Sequence, residues 1–230
     1  MLNAFFPQQL LLTFAQPSAR AYYSLNALSL HDSTRVARER GPKAELDWQV
    51  SRALLRACRQ REGDDRAESL SHSRGHAVLA QAPLACKVGV DMEMIRPRRV
   101  MALAEWACNA TEIDWLLGQD DPLAQHTSFY MLWTLKEAFV KAAGLVFPSD
   151  LSRVGLDCTT GNVPSLRAPD GAWLARTYLL GSDCVISAVW HPMIDQAMRE
   201  EPVWRAGPSS VLPPLAILGA WRQHAGSAIS

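Results

Sequence analysis

The sequence predicts an α+β fold made of two similar halves. A short apolar run and an amphipathic helical stretch come first. Extended segments follow, and then helices and extended segments come again. That order, without a low-complexity linker in the middle, favours two packed α+β units. Their junction falls near residue 88. It leaves an N-terminal half, 1–88, and a C-terminal half, 89–230, which carries a terminal extension. No repeat is visible in the residues, so any symmetry between the halves would be structural only.

Residues 10–15 (Leu-Leu-Leu-Thr-Phe-Ala) read as a buried strand. A polar, arginine-rich stretch runs from His31 to Lys43. Leu46, Val50, Ala53, Leu54, Ala57 and Cys58 then recur at spacings of three and four, with Arg52, Arg56 and Arg59 opposite. This is an amphipathic helix, ended by Gly63. Strands are expected at Ser69–Ser73 and His76–Gln81 around an Arg74-Gly75 turn, and a third at Cys86–Glu93. Val100–Cys108 and Thr111–Leu117 read as helices, with Asn109 or Thr111 as the cap of the second. Gln125–Ala143 is the strongest helical segment, stopped by Gly144 and Pro148. Trp173–Leu180 and Cys184–Trp190 read as strands between turn signals. The tail from His191 is rich in Pro, Gly and Ser, yet Leu215–Leu218 and Trp221 predict that part of it packs.

The chain has 230 residues, 48% of them hydrophobic, enough for a substantial core. Lys plus Arg balances Asp plus Glu at 23 each. A neutral chain is not a generic nucleic-acid binder, although Arg96, Arg98 and Arg99 form a local basic knot. The five cysteines are dispersed and form no Cys-x-x-Cys pair. Free buried thiols in a reducing cytoplasm are expected, with neither zinc nor a disulfide framework. The apolar N-terminus lacks a basic n-region and reads as core, not as a signal peptide. No apolar run has the length of a membrane span.

Three segments carry chemistry. In Val88-Gly89-Val90-Asp91-Met92-Glu93, residues two apart share a strand face, so Asp91 and Glu93 lie side by side. Paired carboxylates repel, and a divalent cation removes the conflict. Oxygen donors without thiolates point to Mg²⁺ or Mn²⁺. In Trp133-Thr134-Leu135-Lys136-Glu137-Ala138-Phe139-Val140-Lys141, the residues Trp133, Glu137 and Lys141 fall on one helix face. Ser69-Leu70-Ser71-His72-Ser73 places a histidine among serines. Singly, each reads more readily as a solvated strand face, a helix ion pair or a structural histidine. No Gly-x-Ser-x-Gly elbow is present, so serine hydrolase chemistry is unsupported.

Taken together and in this order, Ser-His-Ser, Gly-Val-Asp-x-Glu and Trp-x-x-Lys-Glu-Ala-x-x-Lys resemble the signature of the 4′-phosphopantetheinyl transferases, surfactin type. The resemblance covers about residues 69–144. It implies that family's fold, two α+β halves related by pseudo-two-fold symmetry, monomeric, with the active site at their junction. It implies transfer of the phosphopantetheine arm of coenzyme A to a serine of an acyl or peptidyl carrier protein, releasing adenosine 3′,5′-bisphosphate. Asp91, Glu93 and Glu137 would hold the Mg²⁺. Lys141 would contact the pyrophosphate, Ser71 and His72 would help bind coenzyme A, and Lys43 is the candidate for its 3′-phosphate. Glu112 would act as a base, directly or through water, and with Glu137 and Lys141 makes up the implied catalytic set. Such carriers are acidic, and Arg96, Arg98 and Arg99 would steer one in. The family's Gly-Lys-Pro segment before Ser-His-Ser is absent, Asp47 stands where a basic residue is usual, and the Gly-x-Gly after Lys141 is reduced to Gly144-Leu145-Val146. The alternatives are a non-catalytic homologue that binds coenzyme A or a carrier, a Mg²⁺-dependent phosphohydrolase, or plain surface ion pairs.

Overall fold

A computed structural model of the protein describes residues 9–63, 65–159, 163–192 and 201–223. The apolar N-terminal segment expected to be core, residues 1–8, lies outside them. The fold is α+β, as expected. Strand β1 (Leu11–Ala15) has all five residues buried. After the short helix α1 (Leu30–Ser33), helix α2 (Pro42–Glu62) starts with a proline in its first turn, where a missing N–H costs nothing. It stops at Gly63, whose φ of 82° suits a residue without Cβ. Strands β2 (Arg66–Ser73) and β3 (His76–Pro83) form a hairpin. Arg74 (φ 53°) and Gly75 (φ 79°) give it the left-handed two-residue turn that matches strand twist. Val50, Leu54 and Cys58 of α2 pack on Ala77 and Leu79 of β3.

Strand β4 (Lys87–Met94) comes next. Helices α3 (Val100–Ala107), α4 (Ala110–Leu117) and α5 (Pro122–Ala143) follow. Next come the small β5 (Gly155–Asp157) and β6 (Ser165–Arg167) pair, then β7 (Leu174–Leu180), β8 (Cys184–His191), β9 (Val203–Ala206) and β10 (Leu215–Arg222). Asn109 caps α4 through a reciprocal capping box with Glu112, and α5 ends on Gly144 in the left-handed region.

Two four-stranded sheets result, in the orders β2-β3-β1-β9 and β10-β7-β8-β4. The tail therefore contributes an edge strand to each. Strand β9 is the unexpected one: it runs parallel to β1, with Leu11 opposite Val203. Its four residues and lack of alternation hid it in the sequence. One apolar layer is shared by both sheets, with Leu12, Phe14, Val78 and Ala80 meeting Val90, Met92, Ile186 and Trp190. On the outer face of the second sheet, Phe129, Leu132, Leu135 and Phe139 of α5 pack against Trp173, Val185 and Val189. Each such buried side chain contributes about 1.5–3 kcal/mol. All five cysteines are free and buried. Among the described residues, no helix is long and apolar enough to cross a membrane.

Two contacts bring the sheets and the motifs together. A Cβ built on Gly89 would lie 2.0 Å from the Ala138 carbonyl oxygen and 2.7 Å from the Ala142 nitrogen. The glycine therefore lets the α5 backbone lie directly on β4. In addition, β2 and β4, the edges of the two sheets, run side by side. Ser69 Oγ accepts from the Val90 N–H at 3.0 Å, and Ser71 Oγ accepts from the Met92 N–H at 3.3 Å. Alternate serines of one sheet thus satisfy amides on the open edge of the other.

Candidate active site

The alternation of β4 sends Val90 and Met92 into the shared core and turns Asp91 and Glu93 the other way. Asp91 is only 5% exposed. Its Oδ1 accepts from Lys141 Nζ at 2.8 Å and from Ser71 Oγ at 2.7 Å. Lys141 also donates to the Val90 carbonyl at 3.0 Å. Glu93 Oε2 accepts from Ser73 Oγ at 3.0 Å. The strand and the helix, distant in sequence, thus meet at Asp91 and Lys141.

Glu137 lies one turn before Lys141. Its carboxyl is pushed up to about 7, first by burial and then by the charge of Asp91, with Lys141 opposing. Glu93 is raised as well, by burial and, against its Ser73 hydrogen bond, by Asp91. Three carboxylates therefore share a region that cannot comfortably carry their charge. This has a consequence for stability. Between the ordinary glutamate value and about 7, the unfolded chain has released a proton that the folded protein keeps. Stability should fall as pH rises through that window. Denaturant titrations from pH 5 to 8 in EDTA should show the decline, and Glu137→Gln should flatten it. An unchanged slope in the variant would place the burden on another group.

The three carboxylates do not converge as ligands. Among the described residues, no group of three or more His, Cys, Asp or Glu side chains is gathered closely enough to hold a metal ion. The reason is local: Asp91 is turned to Lys141 and Ser71, and Glu93 to Ser73. The donor set itself suits a hard cation. It is all oxygen, and its mutual repulsion is what a divalent ion relieves.

Lys43, His72, Ser73, Glu93 and Arg96 line one cleft of about 220 Å³ beside this cluster. Residues from α2, β2 and β4, distant in sequence, are brought together there. Asp47, at the wall of the same cleft, accepts from the Gly75 amide and locks the hairpin turn to α2.

Two expectations are corrected. Ser71 does not face the cleft: its hydroxyl is buried and committed to Asp91 and to the Met92 amide, so it positions the acid. Glu112 is not available as a base. It is 0% exposed, with Oε2 2.8 Å from Lys136 Nζ and Oε1 2.9 Å from Arg167. It also accepts from the Asn109 and Leu156 amides. Lys136, equally buried, donates to the Leu151 and Val154 carbonyls. The Lys136-Glu137 pair thus divides its labour: Lys136 anchors the helix, and Glu137 faces the acidic cluster. Sequence reasoning missed the contribution of Ser69 and Ser73, although the Ser-x-Ser-x-Ser alternation is a visible one-face signal.

Residues 87–189, which contain β4, α5 and the Asp91–Lys141 contact, match the family model described as the 4′-phosphopantetheinyl transferase superfamily. Over those residues the chain is similar to members of that superfamily. Among proteins similar to it is the 4′-phosphopantetheinyl transferase psf-1 of Bacillus pumilus, 36% identical over 116 residues, which are 49% of this chain and 47% of that protein. A Haemophilus influenzae protein named "Putative 4′-phosphopantetheinyl transferase" is 40% identical over 57 residues, 25% of this chain and 23% of its own length. The matches thus span about half of the first relative and about a quarter of the second. The superfamily match begins at β4, so the first sheet's α2 and the β2–β3 hairpin lie outside it.

Proposed function

We propose that this protein is a 4′-phosphopantetheinyl transferase that moves the phosphopantetheine arm of coenzyme A onto a serine of an apo carrier protein. The observation that carries this reading is the meeting of Asp91, Glu137 and Lys141 beside the cleft lined by Lys43, His72, Glu93 and Arg96. A basic cleft next to crowded acids suits a diphosphate and a divalent cation together, and neither alone. The serine oxygen attacks the phosphorus nearer the pantetheine and gives up its proton to solvent. A new P–O bond forms there, and the bond to the bridging oxygen breaks. Adenosine 3′,5′-bisphosphate leaves with that oxygen.

In this reading Asp91, Glu93 and Glu137 would hold Mg²⁺, or Mn²⁺. The cation, when bound, polarises the phosphoryl oxygen and offsets charge on the leaving diphosphate. Lys141 releases Asp91 to it and contacts the pyrophosphate as a compact cation. His72 and Lys43 bind phosphate oxygens from the N-terminal side of the cleft, and Arg96 adds charge at its rim. At about 220 Å³ the cleft seats the diphosphate region, and the rest of coenzyme A lies across the surface.

Intact-mass spectrometry tests the proposal directly. An apo acyl-carrier protein incubated with this protein, coenzyme A and Mg²⁺ should gain one phosphopantetheine arm, and EDTA should prevent it. No gain across several acyl and peptidyl carriers, with coenzyme A still bound, would favour a non-catalytic homologue. Asp91→Ala or Glu137→Ala should lower turnover by roughly 10²-fold or more, since even groups that merely support metal ligands cost about 10–100-fold when lost. Circular dichroism should show both variants folded, and a fully active Glu137→Ala would remove it from the site.

A further inference from the structure

The tip of the β2–β3 hairpin holds a residue in a conformation that its side chain does not favour. Arg74 has a φ of 53° and is one of two non-glycine residues with positive φ among the described residues. Ser73 pairs with His76, so Arg74 and Gly75 make the whole turn. Such a turn asks for positive φ at both positions and favours Asn, Asp or Gly at the first. Arginine has no short polar group to bond its own backbone there, and its Cβ crowds the following carbonyl. Backbone strain of this kind collects at binding sites. Arg74 is exposed and lines the cleft beside the acids.

The tip is held firmly. The Gly75 amide donates to the buried Asp47 carboxylate of α2, and a Cβ on Gly75 would lie 2.7 Å from Leu46 Cδ2. His76 stacks on Phe14 with ring centroids 5.7 Å apart, and its Nδ1 lies 3.2 Å from the Arg74 carbonyl oxygen. Lys43 stands one helical turn before Asp47 on the same face of α2, so Lys43 and Arg74 flank one spot on the cleft wall. Charge changes along that wall. On β2, Ser71 meets Asp91 and Ser73 meets Glu93, and Arg74 comes next, past the last acid. Asp47, the other acid of the lining, is committed to the turn. Among the described residues, no ion pair holds Arg74 or Lys43. A diphosphate with its divalent cation fits the acidic end. The basic end suits an anion that brings no metal, and a guanidinium grips a phosphate through two parallel N–H donors.

We propose that Arg74 makes the cleft selective for the 3′-phosphate of coenzyme A, and that its strained backbone persists because it places the guanidinium, with Lys43, at the basic rim. The proposal rests on the transferase reading and concerns which cofactor that reaction accepts. Two roles are then separate. The acids and Lys141 handle the diphosphate, which coenzyme A and 3′-dephospho-coenzyme A share. Arg74 reads the one phosphate that the second compound lacks.

Arg74→Asn is the deciding variant, because Asn-Gly is the sequence that this turn prefers. It should unfold at the wild-type temperature or higher, so misfolding cannot cause a loss. Arg74→Gly, equally at ease at that φ, repeats the comparison if asparagine disturbs the turn. Transfer to an apo acyl-carrier protein is measured with coenzyme A and with 3′-dephospho-coenzyme A. The ratio of the two kcat/KM values should favour coenzyme A in the wild type and fall about tenfold in Arg74→Asn, the size of one charge-assisted contact. Arg74→Lys, which keeps the charge without the fork, should fall between. An unchanged ratio overturns the proposal, whether both cofactors lose equally or neither does. Calorimetry with adenosine 3′,5′-bisphosphate and adenosine 5′-monophosphate gives a readout that needs no turnover. The bisphosphate should bind the wild type about tenfold more tightly, and Arg74→Asn should erase that preference. If the wild type modifies no carrier yet shows the preference, the transferase reading fails and the assignment of Arg74 stands. No preference in the wild type overturns the assignment, whatever the activity.

Discussion

Replacing Glu112 by alanine should destabilise the protein by about 3–5 kcal/mol, because it strands a lysine that has no access to water. Lys136 and Glu112 are both fully buried, and the ion pair between them measures 2.8 Å. The desolvation of Lys136 alone pulls its amine down, and Glu112 is what holds it up. Arg167 on the other carboxylate oxygen makes the network a triad. Removing the acid therefore leaves two cations facing a cavity. Urea denaturation should show the loss in the midpoint. Glu112→Gln, which keeps the shape and part of the hydrogen bonding, should fall between the two. If Glu112 were instead a base for the carrier serine, Glu112→Ala would keep its stability and lose turnover alone. A Lys136→Met/Glu112→Leu pair offers a further check. Buried ion pairs replaced by apolar groups of similar size are often neutral or stabilising, so the double change should recover much of what the single one loses.

Gly89→Ala should be a severely damaging single methyl addition. The added Cβ would lie 2.0 Å from the Ala138 carbonyl, an atom of helix backbone that no rotamer change can move aside. Helix α5 must then lift from β4. Overpacking of this kind costs about 1–3 kcal/mol, and more where backbone is the obstacle. The larger effect is on chemistry. Glu137 and Lys141 ride on the displaced helix, whereas Asp91 stays on the strand. Misplacement by about 1 Å can cost 10²-fold in rate. The variant should therefore lose transfer by roughly that factor even under conditions where circular dichroism shows it folded. Wild-type turnover in Gly89→Ala would mean that the helix position is not what sets the site.

Much of the fold is legible in the sequence. The spacing of Trp133, Glu137 and Lys141 predicts one face of α5, and the alternation in Val90-Asp91-Met92-Glu93 separates the core residues from the two acids. The hairpin at Arg74-Gly75 and the cap at Asn109 follow from local backbone chemistry, which sequence records well. What stayed hidden depends on which residues meet across the fold. Glu112 sits in a first helical turn, where an acid is favoured anyway, and nothing local shows that Lys136 and Arg167 converge on it. Ser71 looked like a ligand-binding serine because its partner, Asp91, is 20 residues away. Strand β9 is four residues long and exists only through β1.

That last pairing has a consequence for how the chain is made. As it leaves the ribosome, β1 emerges first, but its parallel neighbour β9 follows only after about 190 further residues, and β10, an edge strand of the other sheet, later still. Neither sheet can be completed until nearly the whole described chain has been translated. Until then both carry an open flank exposed to chaperones or to neighbouring nascent chains. The long α2, the β2–β3 hairpin and the Asp91–Lys141 contact between β4 and α5 need nothing beyond residue 141, whereas each sheet gains its last edge strand only near the end of synthesis.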